Sequence, residues 1–310
     1  MKSETLLEMT DGQKIFIRIY EPTQQTKIRG YVHILHGMAE HSARYDHFCE
    51  LLTSIGYFVV THDHRGHGKT AEANGTLGFF AHQDGFERVV EDVREITQHF
   101  CDTRKLSLPI MFGHSMGSFI LRRYIQKHSS DVEAAILCGT GDTTPLHMVG
   151  HRLARTLSKL HGAEVPSPLL NDLSFGSFNK HIPNPLTAFD WLTSDHHSVQ
   201  HYIDDPHCGF VATNQFFADL TSGLLTINQT KEIARIRSEL PILLISGSED
   251  PVGGKDASGV FSVAQKMRRA GLSHVAVFIF EGMRHEILNE YNKEHVYEVI
   301  TRWLKNEQQI

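Results

Sequence analysis

At 310 residues, 40% of them hydrophobic, the chain is long enough to bury a large core; 36 acidic against 30 basic side chains leave a net charge of -6, which repels phosphate backbones and excludes nucleic acid as a general partner. Met1-Lys2-Ser3-Glu4-Thr5 opens the chain without a signal-like apolar core, and no run approaches the about eighteen apolar residues of a membrane-spanning helix, so a cytoplasmic protein is expected. Cys49, Cys101, Cys138 and Cys208 lie far apart without C-x-x-C spacing and read as reduced packing residues.

Lys14 to Tyr20 alternates Ile15, Ile17 and Ile19 with Phe16, Arg18 and Tyr20, as an outer strand would, and Leu6 to Met9 before Asp11-Gly12 is its hairpin partner. Tyr31 to Leu35 is a buried strand ending in His36-Gly37-Met38, after which Phe48, Leu51, Leu52 and Ile55 mark a helix that Gly56 stops. Tyr57 to Thr61 is the next strand and runs into the polar loop His62-Asp63-His64-Arg65-Gly66-His67-Gly68. Phe86, Val89, Val90, Val93, Ile96 and Phe100 then give one face of a long amphipathic helix.

Leu108 to Phe112 is a short apolar run, and Phe119, Ile120, Leu121, Tyr124 and Ile125 recur at helical spacing, so Gly113-His114-Ser115-Met116-Gly117 occupies a strand-to-helix turn. This is the setting of a nucleophile elbow, in which glycines let the backbone pack closely and the serine hydroxyl stands above the strand edge. The first amides of the following helix, Met116 foremost, are free to donate to an oxyanion.

Ala134 to Cys138 and Pro241 to Ser246 are further strands, but the hundred or so residues between them break the strand-helix alternation expected of α/β folds. The organisation expected is a core over 1–140, a helical cap inserted over 141–230 and a second core part over 231–310. A helix through Phe261, Ala264 and Met267, a strand His274 to Phe280 and a helix His295 to Leu304 close the chain.

A serine hydroxyl needs a base within reach and a carboxylate to orient that base. Asp250 follows the strand ending at Ser246, and His285 follows the strand ending at Phe280, giving the chain order Ser, Asp, His. Asp142, after the preceding strand, and Glu249, next to Asp250, are the alternative acids. The second oxyanion donor falls in His36-Gly37-Met38, where the Met38 amide points inward. Histidine is abundant, with 22 copies and a cluster at His33, His36, His41, His47, His62, His64 and His67, yet no H-E-x-x-H or similar ligand spacing occurs and no metal is expected.

His36-Gly37-Met38-Ala39-Glu40-His41-Ser42-Ala43-Arg44-Tyr45, His62-Asp63-His64-Arg65-Gly66-His67-Gly68, the elbow and the placing of Asp250 and His285 resemble the monoacylglycerol lipase and lysophospholipase branch of the α/β-hydrolases from about residue 10 onward, the cap excepted. The resemblance implies an α/β-hydrolase fold with an eight-stranded, mostly parallel sheet, a lid, no cofactor, and hydrolysis of a carboxylic ester of a lipid-like substrate by Ser115, Asp250 and His285, with the Met38 and Met116 amides as oxyanion hole. Two positions depart from the pattern: Ala39 and Ser118 stand where glycines are usual. The rival readings are a peptidase or aminopeptidase of the same fold, which would need acidic residues such as Asp204 and Asp205 near the site, and a non-catalytic binding protein.

In the cap, Val149, Leu153, Leu157 and Leu160 fall at helical spacing beside Arg152, Arg155 and Lys159. The plainer reading is a lid helix that buries this stripe over the acyl pocket, and the sharper one an interfacial helix that makes peripheral contact with a membrane.

Overall fold

The computed structural model describes residues 1–23 and 27–307. The chain opens with a hairpin of β1 (Lys2–Glu8) and β2 (Lys14–Tyr20). Strands and helices then alternate through β3 (Gly30–Leu35), α1 (Asp46–Ser54), β4 (Tyr57–His62), α2 (Gly68–Asn74), α3 (Gly85–Arg104), β5 (Pro109–His114), α4 (Met116–His128) and β6 (Ala134–Cys138). The insertion follows as helices only: α5 (Pro145–His161), α6 (Pro168–Phe175), α7 (His196–Asp204), α8 (Asn214–Ile227) and α9 (Thr230–Ile233). Alternation resumes with β7 (Ile242–Gly247), α10 (Ser258–Arg269), β8 (Val275–Phe280) and α11 (Lys293–Glu307).

The strands form one eight-stranded sheet in the order β1-β2-β4-β3-β5-β6-β7-β8; β2 is antiparallel to both neighbours and the other pairings are parallel. β3 to β7 are buried at every position because helices cover both faces, which is why these strands read as continuous apolar runs. Val89 and Val93 of α3, Ile120 and Leu121 of α4 and Val260 and Val263 of α10 pack on one face, and Phe48 and Leu52 of α1 with Val296 and Ile300 of α11 on the other.

β2 is not the outer strand that its alternation suggests. β1 takes the edge, and Phe16, Arg18 and Tyr20 are all buried, with Lys69 of α2 over the Phe16 ring at 4.5 Å, Arg18 paired with Glu4 and Tyr20 bonded to Asp46. The polar stretch after β4 likewise turns directly into α2 at Gly68, where a Cβ would lie 2.3 Å from the Asp63 carboxylate. Among the described residues no helix is long and apolar enough to cross a membrane.

From β3 the chain passes to β4 on one side, while β5 pairs on the other, so the carboxyl ends of β3 and β5 open a crevice between diverging loops. The loop after β3 and the turn after β5 meet there.

Candidate active site

β5 ends at His114 and α4 begins at Met116, leaving Ser115 as the single residue of the turn, at φ 51° and ψ -120°. A side-chain-bearing residue in such a conformation costs on the order of 1–3 kcal/mol and persists only where its surroundings dictate it. Here the Ser115 amide donates to Cys138 O at 2.9 Å, and the Ser118 amide returns to Ser115 O at 2.9 Å. The flanking glycines do not supply the positive φ; they supply clearance. A Cβ at Gly117 would lie 2.2 Å from Leu35 O, and one at Gly113 would lie 2.4 Å from Gly117 O. Ser118, in place of the usual glycine, is buried and fits by donating its hydroxyl to Ser115 O at 2.6 Å.

Asp250 and His285, 35 positions apart, meet with His285 Nδ1 2.9 Å from Asp250 Oδ1. Asp250 also accepts from Ser246 Oγ at 3.0 Å and from the Val252 amide at 2.8 Å, which fixes the carboxylate against rotation. Burial of Asp250 works against its charge, but the charge and hydrogen bond of His285 outweigh it and hold the carboxyl below its ordinary range. For His285 burial disfavours the imidazolium, yet Asp250 holds the ring above its ordinary value. The imidazole lies between the rings of His114 and Trp191, at centroid distances of 4.6 and 5.1 Å. The alternative acids face elsewhere: Lys266 Nζ binds the two Asp142 oxygens at 2.6 and 2.7 Å, and Glu249 is half exposed beside Arg284.

The loop after β3 runs against Ser115, since a Cβ on Gly37 would be 3.2 Å from Ser115 Cβ. The Gly37 amide is committed to Glu40 Oε1 at 2.5 Å, which leaves that of Met38 as the next donor along the loop. Ala39 adopts φ 53°, so the usual glycine is replaced in a left-handed conformation that costs an L-residue roughly 1–2 kcal/mol. Its carbonyl accepts from Tyr202 Oη and from the Gly209 amide, both at 2.9 Å, so the insertion grips this loop.

Behind the loop, Arg44 binds Glu40 Oε2 at 2.7 Å and Glu286 Oε2 at 2.6 Å, with a second bond to Glu286 Oε1, and lies 4.8 Å from the Tyr202 ring centre. Burial raises both carboxyls, but the guanidinium prevails and holds Glu40 down at about 2 and Glu286 below its ordinary range. Glu40 also accepts from Tyr45 Oη at 2.7 Å. The trio joins Glu40, two residues after Met38, to Glu286, the residue after His285.

Ser115, Met38 and His285 line one cavity of about 170 Å³, roofed by Asn171, Asp172 and Phe175 of α6 and by Phe189, Trp191 and Phe210. No residue of α5 contributes to it. The expectation that α5 buries its stripe over the acyl pocket is therefore corrected. Ala154 is buried, Leu153 and Leu157 pack at the core's margin, and His151 and Ser158 bond to Ala218 O and Gln215 of α8. Leu146, Val149 and Leu160 remain 76%, 63% and 73% exposed, because α8 meets the helix on a face turned away from them.

A family model described as "Serine aminopeptidase, S33" matches residues 26–292. The chain belongs to this α/β-hydrolase family. It is 24% identical to a monoacylglycerol lipase of Mycolicibacterium smegmatis, over 98% of this chain and 97% of that one, and 26% identical to the monoglyceride lipase of Homo sapiens, over 95% and 88%. The crystal structure of a thermostable carboxyl esterase from Bacillus coagulans in complex with glycerol superposes with a TM-score of 0.91 at 28% identity, covering 99% of both chains.

Of the residues predicted from the sequence, Ser115, Met38 and His285 line the cavity, Asp250 is bonded to His285 and Met116 follows Ser115, whereas the sequence reading assigns no role at the site to Glu40, Arg44, Glu286, Trp191 and Tyr202. The i,i+4 spacing of Glu40 and Arg44 was a weak signal for an ion pair. Nothing in the sequence announces that Trp191 and Tyr202, from the insertion, pack against His285 and Arg44.

Proposed function

We propose that the protein is a serine hydrolase of carboxylic esters of the monoacylglycerol type. The observation that carries this reading is the buried 2.9 Å Asp250–His285 pair, whose imidazole lines the cavity that also holds Ser115 at its strained elbow. Ser115 Oγ attacks the ester carbonyl, His285 takes its proton and passes it to the departing alcohol, and Asp250 keeps the ring in the tautomer with Nδ1 protonated. The Met38 and Met116 amides receive the oxyanion, and water, deprotonated by His285, then releases the acid from the acyl-enzyme.

A void of about 150 Å³ accommodates one benzene-sized group. The cavity of about 170 Å³ thus suits a polyol of glycerol size or a short acyl segment, while a long chain must extend past α6. Leu169 and Leu173 of α6 are 53% and 65% exposed, and elsewhere on the insertion α5 exposes Leu146, Val149 and Leu160 on the same helix as Arg152, Arg155 and Lys159. In this reading the cap rests on an anionic lipid surface, each cation contributing about 1 kcal/mol near it. The aminopeptidase alternative would need an acidic grip for an ammonium group: Asp204 and Asp205 do not line the cavity, Glu40 and Glu286 share the single charge of Arg44, and Asp172 of α6 is the remaining lining carboxylate, so the aminoacyl amides in the panel below decide this alternative.

A fluorophosphonate should label the protein at Ser115 and leave Ser115→Ala unlabelled. A panel of soluble esters, monoacylglycerols, lysophospholipids and aminoacyl amides should show ester turnover falling on the order of a millionfold in Ser115→Ala. Labelling that survives the substitution, or preference for the amides, rejects the proposal. Arg152→Glu with Arg155→Glu should weaken binding to anionic vesicles and spare a soluble ester.

A further inference from the structure

Outside the catalytic cavity, one group of side chains combines a nitrogen, an oxygen and a sulfur donor. His41 of the loop after β3, and Asp205 and Cys208 of the turn after α7, place one ligand atom each within 4.8 Å of one another. The turn is tight: the Cys208 amide donates to Asp205 O at 3.0 Å, and the His207 amide donates to Asp205 Oδ1 at 2.8 Å, so both side chains emerge on the same side. His41 Nε2 meets Asp205 Oδ2 at 2.8 Å across the junction between core and insertion. Cys208 is free, and among the described residues no hydrogen bond engages its sulfur.

We infer that His41, Asp205 and Cys208 form a zinc-type divalent metal site that clamps the loop carrying Met38 to the insertion. Imidazole, carboxylate and thiolate together suit Zn²⁺ rather than Mg²⁺ or Ca²⁺, which favour oxygen ligands. Bond lengths of about 2.0–2.3 Å place tetrahedral ligands roughly 3.5 Å apart, so Cys208 closes the remaining distance, on the order of 1 Å, by side-chain rotation. The fourth position falls to water or to His207, whose Nδ1 is 3.9 Å from Asp205 Oδ1 and whose Nε2 is held by Glu72 at 2.8 Å. Binding displaces the thiol proton to solvent and breaks the bond from His41 Nε2–H to Asp205 Oδ2: the ring exchanges its Nε2 proton for one on Nδ1 through solvent, so that the Nε2 lone pair faces the metal.

The consequence lies in what the turn already touches. Gly209, next to Cys208, donates to Ala39 O, and His41 follows Glu40, the partner of the Gly37 amide. A bound ion would therefore fix the insertion to the oxyanion loop from a position outside the cavity. The site escaped the sequence reading because its ligands lie 164 positions apart and only Asp205 and Cys208 share a turn.

The test uses the full-length, reduced, metal-free protein titrated with Co²⁺, which reports thiolate ligation by a charge-transfer absorption in the near ultraviolet. The parent protein should develop this band to saturation at one equivalent, and added Zn²⁺ should abolish it by competition. Cys208→Ser should lose the band. Asp205→Asn, which keeps the thiol, should retain it with affinity weakened about tenfold or more. Absence of the band in the parent, or a band of equal intensity in Cys208→Ser, would overturn the inference, the latter by assigning the metal to another cysteine. An affinity unchanged in Asp205→Asn would remove the carboxylate from the site and refute the cluster. None of these readings depends on ester turnover.

Discussion

Arg44→Met removes the guanidinium shared by Glu40 and Glu286, whose side chains are only 4% and 5% exposed. Leaving buried carboxylates unpaired costs about 3–5 kcal/mol. Unfolding entropy of about 2.1 cal/mol/K per residue amounts, over 310 residues, to about 0.65 kcal/mol/K, so the melting temperature at neutral pH should fall by about 5–8 °C. The pH dependence carries a sign that a simple packing defect would not reproduce. In the parent, Glu40 is held at about 2 and Glu286 below its ordinary range, so their contribution is present above the carboxyl values of the unfolded chain and is lost only as the pH falls through the folded ones. In the variant burial is opposed only by the hydrogen bonds that Tyr45 and Gly37 give Glu40 and by nearby histidines, so both carboxyls rise and mild acid protonates them within the folded protein. The gap between parent and variant should then narrow from about pH 8 to about pH 5 in calorimetric or fluorescence melts. Adding Glu40→Gln and Glu286→Gln to Arg44→Met should recover much of the loss at pH 8, because no buried charge is left unpaired. Melting within about 1 °C of the parent at pH 8, or a gap that stays constant on acidification, would refute the account.

Asp250→Asn should lower kcat by about ten-thousandfold, whereas Asp142→Asn, whose carboxylate serves Lys266, should stay within a few fold. Since Asp250 holds His285 above its ordinary value against burial, the acid limb of kcat/KM should move to lower pH in Asp250→Asn, and an unmoved limb would dissociate the pair from catalysis. Gly117→Ala drives a Cβ to within 2.2 Å of Leu35 O and 2.6 Å of His36 O, both backbone atoms, and should cost about 1–3 kcal/mol in urea unfolding while also lowering turnover. A parent-like midpoint and rate would contradict the close packing of elbow helix on sheet. Ala39→Gly relieves a φ of 53° and should match or exceed the parent's melting temperature, although the same change at an ordinary helix position costs roughly 0.5–1 kcal/mol; a lower melting point would mean that Ala39 is not strained.

The sequence by itself determined the parts of this protein that rest on local rules. Strand periods and helix faces located β2, β4 and α3 closely, and Gly56 does end its helix with a φ of 101°. The glycine-serine-glycine turn was legible because a strand, one tight residue and a helix leave a signature over a dozen positions. Asp250 and His285 were legible because each follows a strand whose carboxyl end points to the same edge of a parallel sheet.

What only the tertiary structure decided depends on which surfaces meet. Burial of Phe16, Arg18 and Tyr20 follows from α2 and β1 closing over β2, which alternation within one strand cannot register. The α5 stripe looked like a buried face, but α8 packs beside it and leaves Val149 and Leu160 in solvent; a helical period fixes which residues share a face, not which face finds a partner. The Arg44–Glu286 bonds of the trio join residues 242 positions apart, and the His41–Asp205–Cys208 cluster joins core and insertion. Such contacts are set by the docking of whole elements, a choice made by summed burial over the core rather than by any residue near the site.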